Sequence, residues 1–98
     1  MPFENEAGIL RRLARNANVV FVYRPHALDE MRNDGLYKID VENMLRRCAI
    51  SNIEASDGED CWRAEGRDND GRKVTAITVV YEEDEEIKIV TVWAAKAR

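Results

Sequence analysis

Apolar residues recur at helical spacing near the start of the chain and alternate in its second half. Over residues 4–16, Ala7, Leu10 and Ala14 form one stripe, with Ile9 and Leu13 beside it, which predicts an amphipathic helix. Glu4 and Glu6 open this segment, and Arg11, Arg12 and Arg15 close it, an order that complements the helix dipole. Asn16-Ala17-Asn18 reads as its stop. Residues 19–23 are β-branched and aromatic and predict a strand. Arg24 precedes a proline and is therefore biased to extended backbone, while Pro25 suits a first helical position. A second helix is predicted over 26–33, broken by Asp34-Gly35. Asp40 is placed to cap a third helix over 41–48, with Val41, Met44, Leu45 and Cys48 as its apolar face.

After residue 49 the period becomes two. Strands are predicted over 50–54, 61–67, 72–81 and 87–94, separated by turns at 56–60, at Asp68-Asn69-Asp70-Gly71 and at the acidic run 82–86. In the second of these strands, Trp62, Ala64 and Gly66 share one face; Cys61, Arg63, Glu65 and Arg67 share the other. The element order is one helix, then β-α-α-β-β-β-β. It predicts a single α+β domain over 1–98, with residues 1–18 as a helical extension and 19–98 as the core. The sheet should be mostly antiparallel and twisted, with helices on one face and the other face partly open.

Composition narrows the class. At 98 residues the chain can bury one modest core. With 45% hydrophobic and 35% charged residues it reads as globular rather than disordered. Its longest apolar run, 19–23, is far too short to span a bilayer, and the acidic first residues do not resemble a secretory leader, so a cytoplasmic location is expected. Two cysteines and one histidine do not supply the four closely paired ligands of a structural zinc site, so no metal or cofactor is expected. Cys48 and Cys61 read as small buried hydrophobes. The net charge of −4 weighs against nonspecific nucleic-acid binding, although the excess of acid lies in the second half.

Few residues carry recognisable chemistry. His26, the only histidine, sits at a strand-to-helix junction and offers an imidazole for general acid–base work or a phosphate contact. A histidine there also serves simply as a hydrogen-bonding partner of Asp29 or Glu30. Arg63, Arg67 and Lys73 can share a sheet face if the Asp70-Gly71 turn sets the expected register, and guanidinium forks suit phosphate oxygens. The same residues could instead form a solvated face balanced by Glu65 and Asp68. Arg24, Trp93 and Lys96 are the remaining candidates for substrate binding, Trp93 as a base-stacking surface. Trp62, with apolar neighbours on its own face, is expected in the core.

Residues 19–93 resemble a family of small bacterial proteins classed as a domain of unknown function and often grouped with RelE/ParE-like toxins. The resemblance rests on Phe21-Val22-Tyr23, His26-Ala27, Met31, Ile39-Asp40-Val41, Gly71-Arg72-Lys73-Val74 and Val90-Thr91-Val92-Trp93, in that order and spacing. It implies a RelE-like fold and metal-independent cleavage of RNA by attack of a 2′-hydroxyl on the adjacent phosphate. His26 would be base or acid, and Arg63, Arg67 or Lys73 would supply positive charge. It further implies RNA or the ribosome as a partner, together with an antitoxin protein; a homodimer is another expected assembly. Members of that family commonly carry Arg shortly after the His-Ala pair and near the following Gly. Here those places hold Glu30 and Asp34, two anions expected to repel phosphate beside the site. A non-catalytic protein-interaction or dimerisation module of the same fold is the alternative that this departure favours.

Overall fold

The computed structural model describes residues 2–95. Its elements run α1 (Glu4–Arg15), β1 (Val20–Tyr23), α2 (Pro25–Asp34), α3 (Lys38–Leu45), β2 (Ala49–Ser56), β3 (Glu59–Arg67), β4 (Lys73–Tyr81) and β5 (Glu86–Ala94). One five-stranded sheet has the order β1-β5-β4-β3-β2. The predicted meander is antiparallel throughout, and β1 adds to its far edge parallel to β5, pairing Val20 with Glu86 and Tyr23 with Ile89. The α+β class and the helix-covered sheet match the expectation from sequence. A pairing between β1 and β5 was not legible there, because it joins segments more than sixty residues apart with no turn to announce it.

The core lies between the helices and one sheet face. Ile87, Ile89 and Val92 of β5, Val74 and Ala76 of β4, and Ala64 of β3 meet Leu10 of α1, Ala27 and Met31 of α2, and Val41, Met44 and Leu45 of α3. All of these are buried, and Trp62 packs partly buried against them. The alternation within β3 is the predicted one, and Gly66 has its own reason: a Cβ there would stand 2.8 Å from Met44 Cγ, so α3 can pack only over a bare Cα. The N-terminal helix covers its own domain. Arg11 donates to the Cys48 carbonyl at 2.9 Å, and Arg46 donates to the Ala14 carbonyl at 3.0 Å, tying α1 to the stretch that joins α3 to β2.

Two expectations are corrected. The third helix runs from Lys38 to Leu45 rather than over 41–48, and its N-cap is Tyr37, not Asp40. Asp40 occupies the third helical position, where its carboxylate accepts the Tyr37 N–H at 2.8 Å and so satisfies an orphan donor from inside the helix. Cys48 falls after that helix and is buried; Cys61 is only half-buried, on the open sheet face, and both thiols are free.

Candidate functional site

The sheet face opposite the helices holds the chemistry. Pairing of Arg67 with Lys73, of Glu65 with Thr75 and of Arg63 with Ile77 puts the three predicted basic residues on that face, as the Asp70-Gly71 turn implied. Trp93, opposite Thr75, shares it, and the Arg63 guanidinium lies 5.5 Å from the centre of its ring. This is a cation–π contact of the kind that also suits a stacked base. Lys96 lies outside the described residues.

His26 stands in the first turn of α2 with its side chain 68% exposed; its nearest carboxylate is Glu30, one turn on, at 4.0 Å. Arg24 is the N-cap of α2 in extended backbone, and its N–H donates to the Ile89 carbonyl, fixing the start of the helix to β5. No acidic side chain occupies the first turn of α2, so the helix N-terminus keeps its positive end toward solvent. Arg24, Pro25, His26 and Val90 line a depression of about 240 Å³. Asn52, Glu54, Cys61, Arg63, Ile77 and again Val90 border a groove of about 300 Å³ over the middle of the sheet. Val90 joins the two because it is a bulge. Ile77 pairs with Thr91 and Thr78 with Ile89, which leaves Val90 as the extra residue.

Arg24 and His26 thus line one depression and Arg63 another, and the two share Val90. The structure does not bring Arg67 and Lys73 there. Lys73 sits beside Ala95, about 16 Å along β5 from Val90 at the usual strand rise. Each is engaged locally: Arg67 donates to the Gly71 carbonyl at 2.7 Å, and Lys73 pairs with Glu65 at 2.9 Å. Glu65 also meets Arg63, at 3.5 Å. Hydrogen bonds from Ser51 and Lys73 hold its carboxyl below the usual carboxylate range. The face is electrically balanced, with Arg63, Arg67, Lys73 and Lys88 against Glu54, Glu59, Glu65 and Glu86.

Asp34 corrects the expectation built on it. It ends α2, eight residues beyond His26 and about 12 Å away along the helix axis. Its carboxylate accepts the Ala94 N–H at 2.9 Å, and its carbonyl accepts Arg72 at 2.7 Å. It braces the fold rather than facing a ligand. Among the described residues, Glu30 is the carboxylate that approaches the imidazole.

Reading by sequence missed Glu59, Tyr81 and Lys88, which meet on the same face. Tyr81 donates its hydroxyl to Glu59, and Lys88 Nζ lies 3.4 Å from the other carboxylate oxygen. Tyr81 and Lys88 flank the acidic turn with the right alternation to have been found. Glu59 was hidden because it read as part of the 56–60 turn. Among the described residues, no three His, Cys, Asp or Glu side chains group closely enough to hold a metal ion. None of the described helices is long and apolar enough to cross a membrane.

A mixed five-stranded sheet with three helices on one face and a polar groove on the other defines the class: a small α+β domain with an open sheet. Within that class the chain belongs to the family described as Domain of unknown function (DUF4258), whose pattern matches residues 23–94. The matched region takes in β1 from its last residue through β5, and α1 lies outside it. No curated protein matches this chain.

Proposed function

We propose that this chain is a toxin-like, metal-independent endoribonuclease that holds RNA on the open sheet face and cleaves it beside His26. The observation that carries this reading is that the Arg24–His26 depression and the Arg63 groove border on the same residue, Val90. Cleavage by 2′-hydroxyl attack needs proton transfer at two oxygens and positive charge at the phosphorane. His26 supplies a proton-transfer group, Arg24 a guanidinium next to it, and Arg63 with Trp93 a platform for a neighbouring base. RNA, free or on the ribosome, is the partner this surface fits, and an antitoxin protein would be expected to cover it. The two free thiols accord with a cytoplasmic setting. Incubating the purified protein with a single-stranded RNA oligonucleotide in excess chelator tests the reading. Fragments ending in 2′,3′-cyclic phosphate are expected from the wild type, with a loss of about 100-fold or more in His26→Ala. Intact RNA with the wild type would sink it.

A second reading has its own support. Arg63 and Lys73 are both drawn to Glu65, Lys88 is drawn to Glu59, and among the described residues no hydrogen bond orients the His26 ring. A balanced, half-apolar sheet face of this kind also suits a protein-interaction or dimerisation module. Sedimentation showing a dimer, together with RNA left uncut, would favour it over cleavage.

A further inference from the structure

Two β-bulges flank the same groove on the open sheet face. Ile50 pairs with Ala64 and Asn52 with Arg63, so Ser51 is the extra residue of β2. Without it, Asn52 and Glu54 would follow Ile50 to the core side; with it, both stand on the open face beside Arg63 and Cys61. Val90 is the extra residue on the far side, in β5. Between the bulges lies the groove of about 300 Å³, with Cys61 and Ile77 in its middle and Asn52 and Glu54 at its β2 end. That volume is at the low end for a small-molecule site and suits one nucleobase with its sugar. Trp93 and Glu65 hold the Arg63 guanidinium from one row further along the sheet, at 5.5 Å from the ring centre and at 3.5 Å, which leaves its Cys61 side to the groove. Asn52 Nδ2 donates to Glu54 Oε1 at 3.0 Å. A carboxylate only accepts, so this contact sets which way the amide points. Asn52 keeps its second N–H and Glu54 its remaining lone pairs, in the order donor, acceptor, acceptor. The Watson–Crick edge of guanine carries the complement: O6 accepts, and N1–H and N2–H donate. Adenine and cytosine each offer one donor group beside a ring-nitrogen acceptor, and uracil one donor between two carbonyls, so none of them satisfies both carboxylate oxygens.

We propose that this groove reads a guanine base, with Asn52 donating to O6, Glu54 accepting from N1–H and N2–H, and the Arg63 guanidinium stacking on the ring. This rests on the RNA-cleaving reading given above, whose substrate it narrows to RNA cut on the 3′ side of guanosine. A purine with its edge at β2 points its sugar across Ile77 toward Val90, which lies three strand spacings, or about 14 Å, from the β2 backbone. Val90 borders both this groove and the Arg24–His26 depression, so the 3′-phosphate of that nucleoside lies toward Arg24 and His26. Asn52 and Glu54 determine specificity here, and neither moves a proton.

The test is binding of nucleoside 3′-monophosphates to the full chain by titration calorimetry, beside cleavage of a single-stranded RNA that holds one guanosine. The wild type should bind 3′-GMP about ten-fold more tightly than 3′-AMP, 3′-CMP or 3′-UMP. The inosine nucleotide, which lacks the N2 amino group, should fall between. Glu54→Gln puts an N–H where guanine also donates, so it should lose about ten-fold in affinity for 3′-GMP and keep its affinity for 3′-AMP. The Glu54 side chain is exposed, so the variant should fold as the wild type does, which circular dichroism checks. The RNA should be cut after its guanosine. Equal affinities of the wild type for 3′-GMP and 3′-AMP, or a guanine preference unchanged in Glu54→Gln, overturn the assignment, and the cleavage reading survives if the RNA is cut at other bases. A guanine preference that depends on Glu54 with the RNA left intact overturns the cleavage reading alone and makes the free nucleotide the ligand. No nucleotide bound and no RNA cut overturn both.

Discussion

The Ala94 N–H donates to the Asp34 carboxylate at 2.9 Å, joining the end of α2 to the end of β5 across sixty residues. Arg72 reinforces the joint by donating to the carbonyls of Asp34 and Gly35, at 2.7 and 3.2 Å. Asp34→Ala should leave the N–H of the buried Ala94 without its partner and cost about 1–2 kcal/mol. Urea denaturation measures this directly. RNA affinity should not change, because the carboxylate faces the fold; tighter RNA binding in Asp34→Ala would contradict its placement.

The same region shows why some of this molecule was legible in its sequence and some was not. The meander was readable because alternation and Asp-Gly turns act over a few residues: Trp62, Ala64 and Gly66 do face the core, and Arg63, Glu65 and Arg67 do face away. The helix start at Pro25 was readable for the same reason. Asp34 was misread because its partner, Ala94, is distant in sequence, and no local pattern distinguishes a carboxylate that braces a strand end from one that faces a ligand. The cluster of Glu59, Tyr81 and Lys88 depends on a register among three strands, and moving Glu59 out of its turn was enough to reveal it. The reaction was not legible in the fold pattern at all, because one fold hosts many unrelated chemistries.

Asp68 anchors the other side of the Arg72 joint. Its side chain is buried; it accepts the N–H groups of Asp70 and Arg72 at 3.0 and 2.8 Å, and the Arg72 guanidinium at 2.8 Å. Burial pushes its pKa up, but the hydrogen bonds and charge of Arg72 outweigh it and hold the carboxyl below the usual range. Its contribution is therefore present in full above the unfolded-state value, about 3.9, and is lost as pH falls through the lower folded value. Asp68→Asn should lose about 3 kcal/mol at pH 7, because it leaves Arg72 partly buried without its counter-ion. The gap between wild type and variant should narrow below about pH 4, where the carboxyl of the unfolded wild-type chain begins to bind a proton that the folded one still refuses. Thermal melts at pH 7 and pH 3 check both statements; an equal gap at the two values would show that charge is not what holds the joint.

Gly66 and Met44 set the spacing between α3 and the sheet. A Cβ at Gly66 would lie 2.8 Å from Met44 Cγ and 3.5 Å from its carbonyl, so even a methyl group forces the helix or its side chain to shift. Gly66→Val should cost about 1–3 kcal/mol, as overpacking in closed cores does. Pairing it with Met44→Ala tests the cause, since the shorter side chain removes the clash while opening a cavity of its own. The two changes together should cost less than the sum of each alone. Additivity in a denaturation cycle would place the strain elsewhere.

Glu30 is the remaining obstacle to phosphate at the His26 end of the groove. It lies one helical turn from the imidazole, 4.0 Å away, and its side chain is only about one-third exposed. Two unit charges at that distance interact by about 1 kcal/mol in water, which corresponds to roughly five-fold in affinity. A phosphate seated on His26 and Arg24 would feel a repulsion of this order from the carboxylate. Glu30→Gln should therefore bind an RNA analogue, with deoxyribose at the cleavage position to keep it intact, about five-fold more tightly at low salt. The gain should fade as ionic strength rises and the Debye length falls below about 8 Å. Fluorescence anisotropy at two salt concentrations reads both effects. If Glu30→Gln bound no more tightly, or gained equally at high salt, the phosphate would have to sit away from His26, and the interaction-module reading would become the better one.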